Sequence, residues 1–418
     1  MGLNLTQKMF ANKLEHDVWP GEIYYLEPDL VMTHDHQGPM TIREFESMGD
    51  IKVWNPAKII FVMDHRTPSQ TLTSVENHQK LRKFAKKHDI TRFYDVGEGI
   101  CHDLVAEHAD VKPGMIFIAT DSHTVTAGAL GLFATGIGSS EMASLFATGK
   151  VWLKVPETIK VVLKGNLQKG VMGKDVALYL LKILKTGGAD YKAMEFGGDG
   201  IASLDMADRM SLCNMCLEMG AKNAIFPVDE VTVQFYREKG LEITPLFPDG
   251  DAPYERVIEV DLDRLEPLVA LPFSPDNVFA VSQLDKEYPL NQSIIGTCTG
   301  ARYEDLKIAA EILKGRTVHK GTRMLIVPAT RAAWLRAARE GLLEIFVSAG
   351  AMVNVPCCGP CGAYGMGVLA EDESSITTGS RNFVARMGAP GALIYLSNSA
   401  TAAASAVAGK IVDPRNYL

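Results

Sequence analysis

Short apolar runs alternate along this chain with longer segments whose apolar residues recur every three or four positions. Lys58-Ile59-Ile60-Phe61-Val62-Met63 is apolar throughout after its lysine, as a strand covered on both faces would be. Met115-Ile116-Phe117-Ile118-Ala119, Ile159-Lys160-Val161-Val162-Leu163, Met324-Leu325-Ile326-Val327 and Leu393-Ile394-Tyr395-Leu396 follow the same pattern. Helical periodicity fills the gaps. It predicts a helix over 75–87 with Leu81 and Phe84 on one face and lysines opposite, and another over 175–185, ended by Gly187-Gly188. Two more are expected over 331–340 and 400–408. Strands alternating with helices predict an α/β fold of largely parallel sheets covered by helices. The turn-rich stretch Leu271-Pro272-Phe273-Ser274-Pro275-Asp276-Asn277 predicts a boundary, giving units over 1–157, 158–282 and 283–418.

A chain of 418 residues suits two to four domains of ordinary size. A hydrophobic content of 47% with 22% charged residues leaves enough apolar surface for full cores. The net charge of −8, with Lys and Arg scattered, argues against a nucleic-acid surface. No apolar run approaches the roughly 18 residues of a membrane span. The N-terminus has neither an apolar signal core nor an Arg-rich transit pattern. Seven cysteines make an odd count for a disulfide framework, so reduced thiols in a cytoplasm are expected.

The candidate chemistry sits where the predicted strands end. One strand runs into Asp64-His65 and another into Thr120-Asp121-Ser122-His123; between them Gly97-Glu98-Gly99-Ile100-Cys101-His102 should open a helix at His102. Ligands gather at the carboxyl ends of strands in open α/β sheets. Each His or Asp alone suits a strand-end cap, but their joint appearance suits proton handling, since a carboxylate sets a histidine's charge and tautomer. His34-Asp35-His36 looks like a metal triplet and is read as a structural or substrate-adjacent loop. On a helix, Asn214 and Glu218 would share a face. Arg381 and Arg386 suit surface salt bridges or a carboxylate clamp.

Asn354-Val355-Pro356-Cys357-Cys358-Gly359-Pro360-Cys361-Gly362 sets two cysteines at C-x-x-C spacing, and Cys298 lies upstream in Gly296-Thr297-Cys298-Thr299-Gly300. Three readings stay open on spacing alone: an iron–sulfur cluster with one iron free, a zinc site, and a thioredoxin-type redox pair. Cys101, Cys213 and Cys216 read as core residues.

Taken together, Asp121-Ser122-His123-Thr124, Cys213-Asn214-Met215 with Glu218, the Cys298 loop, Cys358-Gly-Pro-Cys361 and Arg381-Asn382-Phe383 with Arg386 resemble the aconitase superfamily, in particular its isopropylmalate dehydratase and homoaconitase large subunits. The likeness runs over essentially the whole chain. It implies three α/β/α domains around a central cluster, with a swivelling fourth domain absent and supplied by a separate small subunit. It implies a [4Fe–4S] cluster on Cys298, Cys358 and Cys361 and a hydro-lyase acting on a substituted malate. Asp64, His65, His102, Asp121, His123 and Glu218 would then be catalytic, and Ser122, Asn214, Arg381 and Arg386 would bind substrate. No nucleic acid or membrane partner is implied. The first substrate expected is 3-isopropylmalate, with homoaconitate and 2,3-dimethylmalate as alternatives. The family usually carries an asparagine where this chain has Gly300, another where it has Ser380, and a glycine where it has Cys357. The reading from another class is an iron-sensing RNA-binding protein, which the acidic charge disfavours.

Overall fold

The computed structural model describes residues 2–108 and 110–418. The predicted apolar runs become strands of three large sheets. The first has five parallel strands in the order Arg92–Tyr94, Ile59–Val62, Leu30–His34, Ile116–Ala119, Phe133–Gly136. The second has four parallel strands, Asn223–Ile225, Ala193–Gly197, Thr158–Lys164 and Arg256–Asp261. The third has seven: Val278–Ala280, Leu268–Ala270, Leu393–Leu396, Ser374–Thr377, Gln292–Ile295, Arg323–Ile326 and Met352–Val353. Its last five are parallel, while Leu268–Ala270 runs antiparallel to both neighbours. An antiparallel ribbon of Ile23–Leu26 and Val151–Lys154 stands apart from them.

Both strands flanking the Leu271–Asn277 turn belong to the third sheet. The change of sheet therefore falls between Asp261 and Leu268, earlier than the turn-based boundary. Strands of three residues are too short to show a period, so the turn between them stood out instead.

The helices form where expected. Leu72–Lys87 starts one turn earlier than its periodicity suggests, because Thr71 caps it by accepting from the Ser74 N–H at 3.1 Å. Phe45, Phe61, Phe84 and Phe146 pack together beneath the first sheet. One continuous core takes residues from all three sheets, including Ile60, Val161 and Ile294.

Candidate active site

Three neighbouring strands of the first sheet run into acidic residues. Leu30–His34 leads to Asp35, Ile59–Val62 to Asp64 and Ile116–Ala119 to Asp121. Asp35 is fully buried and grips the turn after the second of these strands. Its carboxylate accepts from the backbone N–H groups of His65 (2.9 Å), Arg66 (2.7 Å) and Asp64 (3.2 Å), and His78 Nε2 lies 2.9 Å away. Thus Asp35 anchors the segment that carries His65. Its position after a parallel strand matched those of Asp64 and Asp121, but only the fold shows what it holds.

Asp121 is the electrostatic centre. His102 Nε2 lies 3.1 Å from its Oδ1, His65 Nε2 lies 3.2 Å from its Oδ2, and the His123 N–H donates to Oδ1 at 2.7 Å. Burial alone would raise this carboxyl, yet His102, His123 and His65 hold it well below the usual carboxylate range. His65 Nδ1 in turn lies 2.7 Å from Asp64 Oδ1. Burial opposes a charge on His65, but Asp64 and Asp121 together lift it well above an ordinary histidine. His34 stacks on His65 with ring centres 3.9 Å apart, and burial with the His65 charge lowers it to about 4. The two stacked rings thus have opposite charge preferences.

The second sheet contributes one corner. The helix Met206–Cys216 carries Asn214 and ends before Glu218, which sits in the following tight turn. A single helix face was expected for the two; the structure separates their elements but still brings both inward. Asn214 Nδ2 donates to Thr126 Oγ1 at 2.8 Å, and its Oδ1 is buried without a partner. Glu218 lies 2.9 Å from His123 Nε2 and accepts from Arg381 Nε. Burial would raise Glu218, but those two partners lower it. Arg381 Nη2 reaches Ser122 Oγ at 3.5 Å.

The thiols come from the third sheet. Cys298 follows the strand Gln292–Ile295, and the C-x-x-C follows Met352–Val353. Cys298 and Cys358 are buried against Ile100 and Ala329. Thr297 and Ala301, on either side of Cys298, both take left-handed backbone at φ 68, strained for residues with side chains. The Cys358 N–H donates to the Asp64 carbonyl at 2.9 Å, and its Sγ lies 3.6 Å from Asp64 Oδ2. Arg386 Nη2 donates to Cys361 Sγ at 3.1 Å. Burial raises the Cys298 and Cys358 thiols, and Cys361 raises both further. Burial also pushes Cys357 up to about 11. Cys213 and Cys216 lie in the apolar core, and Cys101 is buried at the head of the helix Cys101–Glu107.

Ends of strands from two sheets therefore meet, thiols on one side and paired carboxylates and histidines on the other. A cavity of about 570 Å³, lined by Leu104, Glu107, Met210, Phe235 and Tyr303, contains none of these groups. The soft donor set suits an iron–sulfur group: the buried Cys298 and Cys358 and the half-buried Cys361 stand on loops of one sheet, and two buried polar atoms, Asn214 Oδ1 and His102 Nδ1, have no protein partner.

An α/β fold whose strand ends gather these thiols and Asp–His pairs defines a class: the chain belongs to the aconitase family. The model of that family, described as aconitate hydratase, matches residues 7–409. Members of the family bind iron–sulfur clusters, in keeping with the cysteine-rich buried site. Within the class, the chain is 45% identical to 3-isopropylmalate dehydratase large subunit 1 of Methanopyrus kandleri, over the full length of both. It is 47% identical to the 3-isopropylmalate dehydratase large subunit of Thermoanaerobacter pseudethanolicus, with 99% of each chain covered. The crystal structure of Thermococcus kodakaraensis aconitase X in its holo-form shares the fold at a TM-score of 0.52 and 13% identity, covering 90% of this chain and 89% of that one.

Proposed function

We propose that this chain is the large subunit of a 3-isopropylmalate dehydratase, a cytoplasmic [4Fe–4S] hydro-lyase that isomerises 2-isopropylmalate to 3-isopropylmalate by dehydration and rehydration. The observation that carries the reading is the meeting of Cys298, Cys358 and Cys361 with the Asp121-centred histidines and Arg381. Relatives of that name at 45–47% identity over the whole chain support it. The division into three units, one for each large sheet, belongs to the same proposal, with the third beginning before Leu268.

Cys298, Cys358 and Cys361 would hold the cluster. When bound, it supplies a Lewis acid for the substrate hydroxyl and an adjacent carboxylate. His65, kept charged by Asp64 and Asp121, is placed to give a proton from Nε2 to the departing hydroxyl. His102 and His123 complete the hydrogen-bond frame around Asp121 and orient the water that returns. Arg381, fixed by Glu218, offers its remaining N–H groups with Ser122 to a second carboxylate. Arg386 lies against Cys361 and would sit beside substrate and cluster together. The base that takes the carbon-bound proton would come from a separate small subunit.

Gly300 and Ser380 favour keeping 2,3-dimethylmalate and homoaconitate as second substrates. The Ser380 hydroxyl is buried without a partner, and a Cβ on Gly300 would meet the Thr378 side chain at 2.6 Å. The local packing is therefore adapted to the absence of an amide side chain at 300. Anaerobic reconstitution with iron and sulfide tests the reading. About four irons per chain with broad visible absorption are expected, lost in Cys298→Ala. Iron uptake that ignores this substitution would return the site to the zinc or redox readings. Turnover of the three acids with the small subunit present then decides among substrates.

A further inference from the structure

We propose that Lys174 is a positioning residue of this site: its ammonium clamps the Arg381 loop against the Cys298 loop and sets a fixed positive charge behind the thiols. The inference rests on the cluster-bearing site proposed above.

Lys174 is the second residue of the helix Gly173–Leu184 in the second unit and is only 3% exposed. Its Nζ donates to the Gly379 carbonyl at 2.6 Å and the Thr378 carbonyl at 3.1 Å, and meets Met215 Sδ at 3.3 Å. All three partners are neutral. They satisfy the N–H groups but leave the charge uncompensated, and an unpaired buried charge is costly. The adjacent Asp175 does not balance it, because its carboxyl accepts from Leu268 N, Met172 N and Asn398, and burial raises it to about 7. Burial lowers the amine to about 8, against the pull of the Glu218 and Asp305 carboxylates.

The contacts place this charge at a junction. Gly379 is two residues before Arg381. The Thr378 carbonyl that receives Lys174 also receives Thr299 Oγ1 at 2.5 Å, and Thr299 follows Cys298. Thr378 Oγ1 meanwhile bonds both the N–H and the carbonyl of Gly296. One ammonium from the second unit thus holds the arginine loop directly and the cysteine loop through one threonine. Bringing an anionic group and a dicarboxylate into such a site calls for a charge of this kind.

Two substitutions separate charge from bulk. Lys174→Met keeps length and apolar stem; Lys174→Arg keeps the charge. In the full chain before reconstitution, amide hydrogen exchange over 379–382 should quicken roughly tenfold in Lys174→Met, as loss of a charge-assisted bond implies, and return toward wild type in Lys174→Arg. After anaerobic reconstitution, the midpoint potential should move negative in Lys174→Met and stay near wild type in Lys174→Arg. Lys174→Gln gives the same comparison if the methionine variant does not fold. Exchange and potential unchanged by loss of the charge would overturn the proposal. A wild-type chain that takes up no iron would overturn the cluster reading instead, and the exchange result would still decide the role of Lys174.

Discussion

His34 and His65 lie face to face, and the depressed one, His34, acts on the acid limb of stability. His34 is buried and titrates at about 4 when folded against 6.5 when free. Between those values the unfolded chain binds a proton that the folded chain refuses. Stability therefore falls as pH drops from 6.5 toward 4, by about 3 kcal/mol from this residue. Asp64 and Asp121, both depressed when folded, lose their contribution in the same direction as pH falls further. Urea unfolding of the apo chain at pH 6.5 and 4.5 should show the loss, and His34→Gln should flatten it. Arg381→Lys keeps a charge but loses the Nε–H held by Glu218 and the planar guanidinium that it orients. With the small subunit present, KM for the dicarboxylate should rise roughly tenfold with a smaller change in kcat; an unchanged KM would remove Arg381 from the carboxylate site. The Asp–His pairs and the thiols were legible in the sequence because strand ends and C-x-x-C spacing are local signals. The grip of Asp35 on three successive residues, the His123–Glu218 contact and the placing of Lys174 were not. Each joins positions far apart in the chain, and no period or spacing records such pairs.

Between elements, close approach replaces side-chain contact at one decisive place. Gly128 lies in the 3-10 stretch Ser122–Leu130, and a Cβ there would stand 1.7 Å from the Ala224 carbonyl. The small residues of this stretch, Ala127, Gly128 and Ala129, permit that approach. Gly128→Ala must push the strand Asn223–Ile225 away, costing about 3 kcal/mol in chemical denaturation. Asn398 does comparable work beside the third sheet. It caps Ser399–Ala408 through Thr401 N at 2.7 Å and donates to the Gly170 carbonyl and to Asp175. Asn398→Ala should cost about 2 to 3 kcal/mol, the sum of a cap and buried bonds. Helix extents were readable from periodicity to within a turn or so. The change from second to third sheet was not, because the strand Leu268–Ala270 is short and the turn after it joins strands of one sheet.

For the molecule as a whole, the thiols and the proton-handling groups stand on facing walls, and nothing among the described residues forms a fourth large sheet above them. The purified chain, fully loaded with iron, should turn over 2-isopropylmalate only after its small subunit is added. Full turnover by the chain alone would refute the need for that partner. The three sheets share one core, and Cys298 and Cys358 pack outside it against Ile100 and Ala329. A scaffold built this way does not depend on its cargo to stay folded. With the proposed cluster in place, oxidative damage should empty the vessel without breaking it, so recovery becomes a matter of refilling rather than of new synthesis.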